Sequence, residues 1–505
     1  MRENIYLKQI EINLPRLLSL YDQSPWSKTY GLGDRQFWGW KLIDFPNATF
    51  QGAAHGLARL LASGLLPSSF DKDATIELIF SMVNATKEIT RSNGSLEEAF
   101  PYESSFCVTA LVAYDLLKTS ELLKDICDSD FHGRIREVVK PLINFLTKND
   151  ETHAIISNHL ATAVAALYLW EDLANERTGK RATEILEIIF NNQSSEGWLS
   201  EYGGADPGYQ SLATYYLAEV YRLRPSLRLK ELLANSLAFI KYCVHPDGSF
   251  GGIYGSRNTR FYYPAGFEFL SREFTDAAWV AQKMRESIHS NHTATLNCMD
   301  ASNLVPMFNA YAWAAEEFFH QDVKIVEHFD NFGDKYFEKA GLYLKSTPDF
   351  YFWLSVRKAG AWGKYDKKQN KWLGDFGALW RSTDGYLYTG QEQQAKVEFE
   401  ANTIRMHIPL VRHNQMLPSP IKFLLLRILN LTLMRLPVFS KIIKKMLVRM
   451  LIQKKQKIAF YGKRYFDLNC SFPLVEDIAE DGWKSQASIK PFYAIHMASQ
   501  GYWQE

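Results

Sequence analysis

The chain has 505 residues, more than one ordinary core holds, so two domains, or one large toroid or barrel with an appendage, are expected. Hydrophobic residues make up 47% and aromatics 14%, enough for a large interior, and a net charge of +1 gives no electrostatic reason to expect nucleic acid as a partner. The five cysteines, Cys107, Cys127, Cys243, Cys298 and Cys470, lack CxxC spacing, which argues against a disulfide framework or zinc cluster and suits thiols in a reducing compartment.

The first segment, MRENIYLKQIEINLPRLLSLYD, reads as an amphipathic helix with acidic residues inside it and without the apolar core of a secretory signal. Cytoplasmic residence is expected. Helices of two kinds then alternate. Segments near 73–90, 133–147, 181–191 and 228–242 carry one apolar stripe and one charged face, as surface helices do. Segments near 52–64, 105–117, 158–170, 211–223 and 302–316 are apolar on most faces, which suits an enclosed inner ring.

Polar turns lead into the inner helices at Asn93-Gly94, Asn149-Asp150, Glu196-Gly197 and Asp247-Gly248, a period of roughly 50 residues that fits one helical hairpin per unit. Such alternation closes into an α/α toroid. A linear solenoid fits less well, because its hairpins are shorter, roughly 33 to 47 residues. After about residue 345, aromatic and β-branched runs such as DFYFWLSVRKAGAWGKYD, KWLGDFGALWRSTDGYLYTG and AKVEFEANTIRMHI alternate with Gly, Asn and Asp turns and read as antiparallel strands. The expected fold is mostly α with a β-rich C-terminal part. An incomplete (α/α)6-type toroid over 1–340 precedes an antiparallel β-sandwich-like domain over 341–505.

Inserted in that second part, at about 418–458, the chain runs through PSPIKFLLLRILNLTLMRLPVFSKIIKKMLVRM with no acidic residue. Its apolar runs are broken by Arg427, Arg435 and Pro437 before reaching the roughly 18 residues that cross a bilayer, so two basic amphipathic helices are expected. Lys441, Lys444, Lys445 and Arg449 fall at helical spacing on neighbouring turns. The apolar residues interleaved with Lys and Arg favour an anionic membrane surface as the partner of 418–463, with the protein peripheral at the inner face of the membrane.

The polar loops ahead of the inner helices should gather at one rim. One supplies Ser157-Asn158-His159; the next supplies Glu201, Tyr202, Asp206, Tyr209 and Gln210. The loop after it offers His245, Tyr254, Arg257, Arg260, Tyr262 and Tyr263, and an earlier one Glu97, Glu98, Tyr102 and Glu103. Each has a purely structural reading. Asn158 can cap its helix, His159 can be a satisfied core histidine, Tyr209 can pack the toroid, and Arg257 and Arg260 can anchor loops through carbonyls.

Asn158-His159 opening an inner helix, followed about 50 residues on by Tyr209 within DPGYQSLATYYL, resembles the heparinase II/III and alginate lyase group of polysaccharide lyases. The resemblance covers about residues 50–400 and implies a toroid followed by an antiparallel β-sandwich. It also implies a mechanism in which Asn158 neutralises a uronate carboxylate while a Tyr or His removes the C5 proton and a Tyr protonates the leaving oxygen, with His159 and Tyr209 as the candidates. Tyr102, Glu103, Tyr202, Gln210, Arg257, Arg260, Tyr262 and His413 are the candidate substrate contacts. The family usually follows its Tyr with His, where this chain has Gln210, and its β-domain commonly carries a His-x-His-x-Asp-like motif that is missing after residue 345. His407 and His413 are the only histidines between 345 and 490, with no neighbouring carboxylate, so no metal and no cofactor are expected.

The reading that follows is a lyase acting on anionic, uronic-acid-containing polysaccharide. A C5-epimerase shares its first step, and cytoplasmic residence favours a lipid-linked glycan as substrate. A non-catalytic membrane-associated glycan-binding protein is the alternative from another class. An isoprenoid cyclase ranks last, because its Asp-rich clusters do not occur here.

Overall fold

The computed structural model describes residues 3–318 except 153, residues 331–436 except 384, 391–393, 401 and 414–418, then 438, 439, 442, 443, 446 and 457–468; beyond these it describes the backbone of 474–478, 484–485, 492–494 and 502–504. Among them the helices are α1 (Ile5–Leu18), α2 (Arg35–Trp38), α3 (Ala53–Ala62), α4 (Lys72–Ile89), α5 (Phe106–Leu122), α6 (Ser129–Lys148), α7 (Ser157–Ala174), α8 (Arg181–Asn192), α9 (Pro207–Leu223), α10 (Leu227–Ile240), α11 (Ala265–Leu270), α12 (Thr275–Ser290), α13 (Ala301–Glu317) and α14 (Pro420–Leu431).

Two helix chemistries sort these elements into two rings. In α8 only Ala182, Ile185, Leu186 and Ile189 are buried, a single stripe at three- and four-residue spacing. In α7 every residue from Ser157 to Trp170 is buried except His159 and Tyr168, which requires neighbours on all sides. Accordingly α3, α5, α7, α9, α11 and α13 pack in sequence, and α13 returns to α3 to close the inner ring. Outside it α4 packs on α3, α6 on α5, α8 on α7, α10 on α9, α12 on α11 and α1 on α13. The toroid is incomplete at α11, which has only six residues.

The turns before the inner helices repeat one construction. Arg91 N–H donates to Ser95 O, and Ser194 N–H to Trp198 O, each around a glycine with positive φ, Gly94 (+83°) and Gly197 (+95°). A Cβ at Gly94 would overlap the Pro141 carbonyl of α6, and one at Gly197 the Asn235 carbonyl of α10. The glycines are therefore set by close approach of the turn to an outer helix as well as by φ.

Between inner helices, Lys118 of α5 donates to Glu219 of α9 at 2.8 Å, and Arg222 adds a second bond to the same carboxylate at 2.7 Å. Burial pushes the Glu219 carboxyl up, but the Lys118 charge and the Arg222 hydrogen bond outweigh it and bring it down to about 2. A depressed carboxyl stabilises the fold above its unfolded value and loses that contribution as pH falls through the folded one. Acidification from about pH 5 to 2 should therefore remove about 3 kcal/mol. Denaturant melts at neutral and acid pH should show a shallower acid loss in Glu219→Gln than in wild type; equal slopes would rule the linkage out.

The strands are β1 (Gly333–Phe337), β2 (Leu342–Ser346), β3 (Phe350–Ser355), β4 (Ala361–Asp366), β5 (Lys371–Asp375), β6 (Leu379–Arg381), β7 (Leu387–Thr389), β8 (Lys396–Glu400), β9 (Thr403–Arg412), β10 (Phe460–Asp467), β11 (Leu474–Ile478), β12 (Lys484–Ser485), β13 (Phe492–Ala494) and β14 (Tyr502–Gln504). Among the described residues these strands pair antiparallel. One sheet runs β1-β2-β3-β4-β5; a second runs β11-β10-β9-β7-β6-β12 with β8 on β9; β13 pairs β14.

The inner strands β2, β3 and β4 of the first sheet are buried on both faces, which is why they read as almost continuous apolar runs. Tyr343, Phe352, Leu354 and Trp362 face the second sheet, packing with Trp380, Ile404, Met406 and Phe466. The alternate residues Leu344, Tyr351, Trp353 and Tyr365 join the core of the toroid. Trp353 pairs with Gly363 across β3 and β4, and its indole occupies the space a Cβ at Gly363 would need. The two sheets are clamped by Arg464 of β10, whose guanidinium forks onto Asp375 of β5 at 2.8 and 2.9 Å and also donates to Gly360 O at 2.8 Å.

Of the two basic helices, the first is α14, and most residues of the second fall outside the described ones, Lys441, Lys444, Lys445 and Arg449 among them.

Candidate active site

The first sheet docks on the rim that carries the polar loops. Trp372 Nε1 donates to Asp247 at 2.7 Å, Arg357 to Gly203 O at 3.2 Å, and the backbone N–H groups of Lys339 and Ala340 to Glu196 at 2.8 and 3.0 Å. The rim loops therefore have a β-wall beside them.

Asn158 is the second residue of α7. Its helix is capped by Ile156, which makes no side-chain cap bond, so the capping role is overturned for Asn158. Instead its Nδ2 donates to Glu201 Oε2 at 3.0 Å, with both residues buried. Glu201 is held above the usual carboxylate range by burial first and by nearby Asp206 second; Arg257 and the Asn158 bond pull the other way. An amide thus lies against a carboxyl group favoured in its protonated form.

His159, one residue on, is half-buried. Its Nδ1 lies 2.8 Å from the carboxylate of Glu151, whose side chain is 2% exposed. That contact selects the tautomer with hydrogen on Nδ1 and leaves Nε2 as an acceptor. Tyr209 is the third residue of α9, with its backbone held by the Asp206 cap and its ring edge-on to Phe261 at 5.4 Å. Its hydroxyl is kept protonated by burial and then by Glu201, so it is suited to donate a proton.

Asp206 ties the third loop to this group. Besides capping α9 it accepts from the backbone N–H of Arg257 at 2.8 Å and from the Thr259 hydroxyl. This brings the Arg257 guanidinium over the Tyr202 ring at 4.6 Å. Tyr202 has φ +51°, and burial pushes its hydroxyl up to about 12 against the opposing pull of Arg257. Asn158, His159, Glu151, Glu201, Tyr202, Tyr209 and Arg257 therefore form one neighbourhood, with Arg357 against Gly203 at its edge.

Most of the other expected contacts are engaged in holding the fold. Gln210 is buried, with its oxygen accepting from Leu199 N–H and its nitrogen donating to Ser236, so both ends of its amide brace the loop. Glu103 accepts from the backbone N–H groups of Glu98 and Ala99 and shapes its own turn. Tyr262 is buried between Phe250 and Phe267 because the chain turns inward toward α11 there. Arg260 is buried near His245 and Tyr254, beneath the first sheet. His413 directly follows β9 of the second sheet, its N–H bonded to Leu387 O. Tyr102, with φ +63°, stays half-exposed at the rim with Arg91 over its ring at 4.1 Å.

Glu151 and Arg357 were missed by the sequence reading. Glu151 adjoins the Asn149-Asp150 turn of the repeat and could have been found as the acidic residue nearest His159 in that loop. Arg357 comes from a strand connection that no local pattern links to the toroid.

A helical toroid with antiparallel sheets on the rim that bears its polar loops defines the class of architecture. Heparinase III shares it, at 13% identity and a TM-score of 0.52, over 82% of this chain and 67% of that one. The chondroitin AC lyase of Streptomyces coelicolor A3 shares it at 11% identity and a TM-score of 0.51, over 81% and 66%. This chain thus spans about two thirds of the length of either protein, and at these identities the likeness is one of fold. No protein-family model and no curated protein matches the chain by sequence.

Proposed function

We propose that this chain acts on a uronic-acid-containing glycan by abstraction of the C5 proton and β-elimination, within the toroid that ends with α13. The observation that carries the reading is the contact of Asn158 with Glu201 beside a histidine oriented by Glu151. The second N–H of Asn158 and a protonated Glu201 can both donate to the substrate carboxylate, which lowers the cost of negative charge building up as the C5 proton leaves. His159 Nε2 takes that proton. The C5–H electron pair forms the C4–C5 double bond, the bond from C4 to the glycosidic oxygen breaks, and the Tyr209 hydroxyl protonates the leaving oxygen. Arg257 supplies positive charge at the same place.

A C5-epimerase shares the first step and differs in returning a proton to the opposite face. A lipid-linked glycan is the form of substrate this reading favours, met at an anionic membrane through 418–463. Incubation with a panel of uronate polymers in deuterated water tests both chemistries. New ultraviolet absorbance from an unsaturated uronate is expected for the lyase, and deuterium at C5 without that absorbance for the epimerase. Binding with neither signal would leave a glycan-binding module and end the catalytic reading.

A further inference from the structure

Helix α14 turns Asn430 fully and Arg427 partly inward. Asn430 is buried, as is Met434 in the turn that follows, while Arg427 is half-buried and ion-paired with Asp44, its guanidinium 5.7 Å from the Phe45 ring. Arg435 lies over the Tyr102 ring at 5.2 Å. Asn430 follows Arg427 by three positions and Met434 follows Asn430 by four, so one edge of the segment rests on the toroid rim.

Most of the remaining residues of the segment are apolar and exposed. Ile421 is 72% exposed, Phe423 65%, Leu424 59% and Leu425 61%, with Val438 and Ile442 exposed beyond them. The surface continues onto the chain just before Asp44, where Trp40 is 65% and Leu42 75% exposed. A soluble monomer rarely leaves this much contiguous apolar surface in water. Charge identifies what covers it: residues 418–463 contain eight Lys, three Arg and no Asp or Glu. Lys422 and Arg435 are exposed beside the apolar residues, and Lys41 lies between Trp40 and Leu42.

We infer that the outward face of α14, together with the Trp40–Leu42 loop, is a docking surface for an anionic lipid bilayer. At 12 residues α14 is too short to span one, and among the described residues no helix is long and apolar enough to do so. It lies in the interface plane, with Leu and Phe in the acyl boundary and Lys and Arg among the headgroups. Because Arg435 rests on Tyr102, docking brings the rim loops to the lipid surface. The inference rests on the glycan reading only for the cargo such a membrane would present.

Flotation of the full chain with vesicles of phosphatidylcholine alone, or with added phosphatidylglycerol, tests it. Wild type should partition onto the anionic vesicles more than about ten-fold over the neutral ones, and release as salt is raised. The variant Phe423→Ser/Leu424→Ser/Leu425→Ser should lose that partitioning by at least about ten-fold with an unchanged melting temperature. Wild type remaining in solution with both vesicles, or binding both equally at every salt concentration, would overturn the proposal. So would a triple variant that melts early, showing the face to be packed, or a wild-type dimer that the variant converts to monomer. Activity of the variant on a soluble uronate oligosaccharide separates this surface from the cleft: retained activity with lost flotation supports the surface, and flotation by an inactive wild type defeats only the cleft chemistry.

Discussion

Asn158→Ala should lower kcat/KM on a responsive uronate substrate by about a hundred- to a thousand-fold, the usual cost of removing a donor that stabilises developing oxyanion charge. The fold should survive. Asn158 does not cap α7, and the bond lost to Glu201 is worth about 1 kcal/mol in a buried setting. Without that bond the Glu201 carboxyl moves further toward its neutral form, so no uncompensated charge is left behind. Steady-state kinetics paired with thermal melting distinguish the roles: unchanged turnover would remove Asn158 from the chemistry, and an unfolded variant would make it a structural residue.

Asp375→Ala should be the most damaging change in the sandwich. It strips Arg464, 1% exposed, of both carboxylate bonds and leaves a guanidinium between two sheets without the carboxylate that balances its charge. It also removes the acceptor of the Trp362 indole, 2.8 Å away. Breaking one side of a buried pair costs about 3 to 5 kcal/mol, against near neutrality when both partners become apolar. Urea unfolding should therefore show a large fall for Asp375→Ala and a partial recovery in Asp375→Leu/Arg464→Met. A loss below about 1 kcal/mol in the single variant would mean that the guanidinium escapes to water.

The toroid was legible because burial imposes a period on composition: an α7 enclosed all round cannot be polar on any face, and an α8 at the surface cannot be apolar on every one. The strands after 345 were legible from their turns and β-branched runs. Helix α11 was not, since six residues between Pro264 and Ser271 are too few to show a 3.6-residue period. At the site, Asn158, His159 and Tyr209 stood out because they open inner helices. Their partners did not, because the pairing of Asn158 with Glu201 spans 43 residues and is set by the packing of neighbouring hairpins. Tyr262 turns to the core, which was not legible because a tyrosine in a polar loop looks the same in sequence whether its ring turns to the cleft or to the core.

The closure of the inner ring, with α1 packed on α13, sets the order in which the protein is made. Asn4 donates to Ala315 O at 2.8 Å and Tyr6 to Glu268 at 2.6 Å, so the first helix finds its partners about 260 to 310 residues downstream. At roughly 5 to 20 residues per second, α1 leaves the ribosome some 15 to 60 s before α13 does. Throughout that interval Ile5, Ile10, Leu14 and Leu17, all buried in the finished protein, lack α13, the helix that α1 packs on. Hairpins α5–α6 and α7–α8 can stack as they emerge, but the ring cannot lock until its last helix arrives. The nascent toroid is an open arc with two sticky ends, and any chain that stops short of residue 301 should aggregate through α1 and α3.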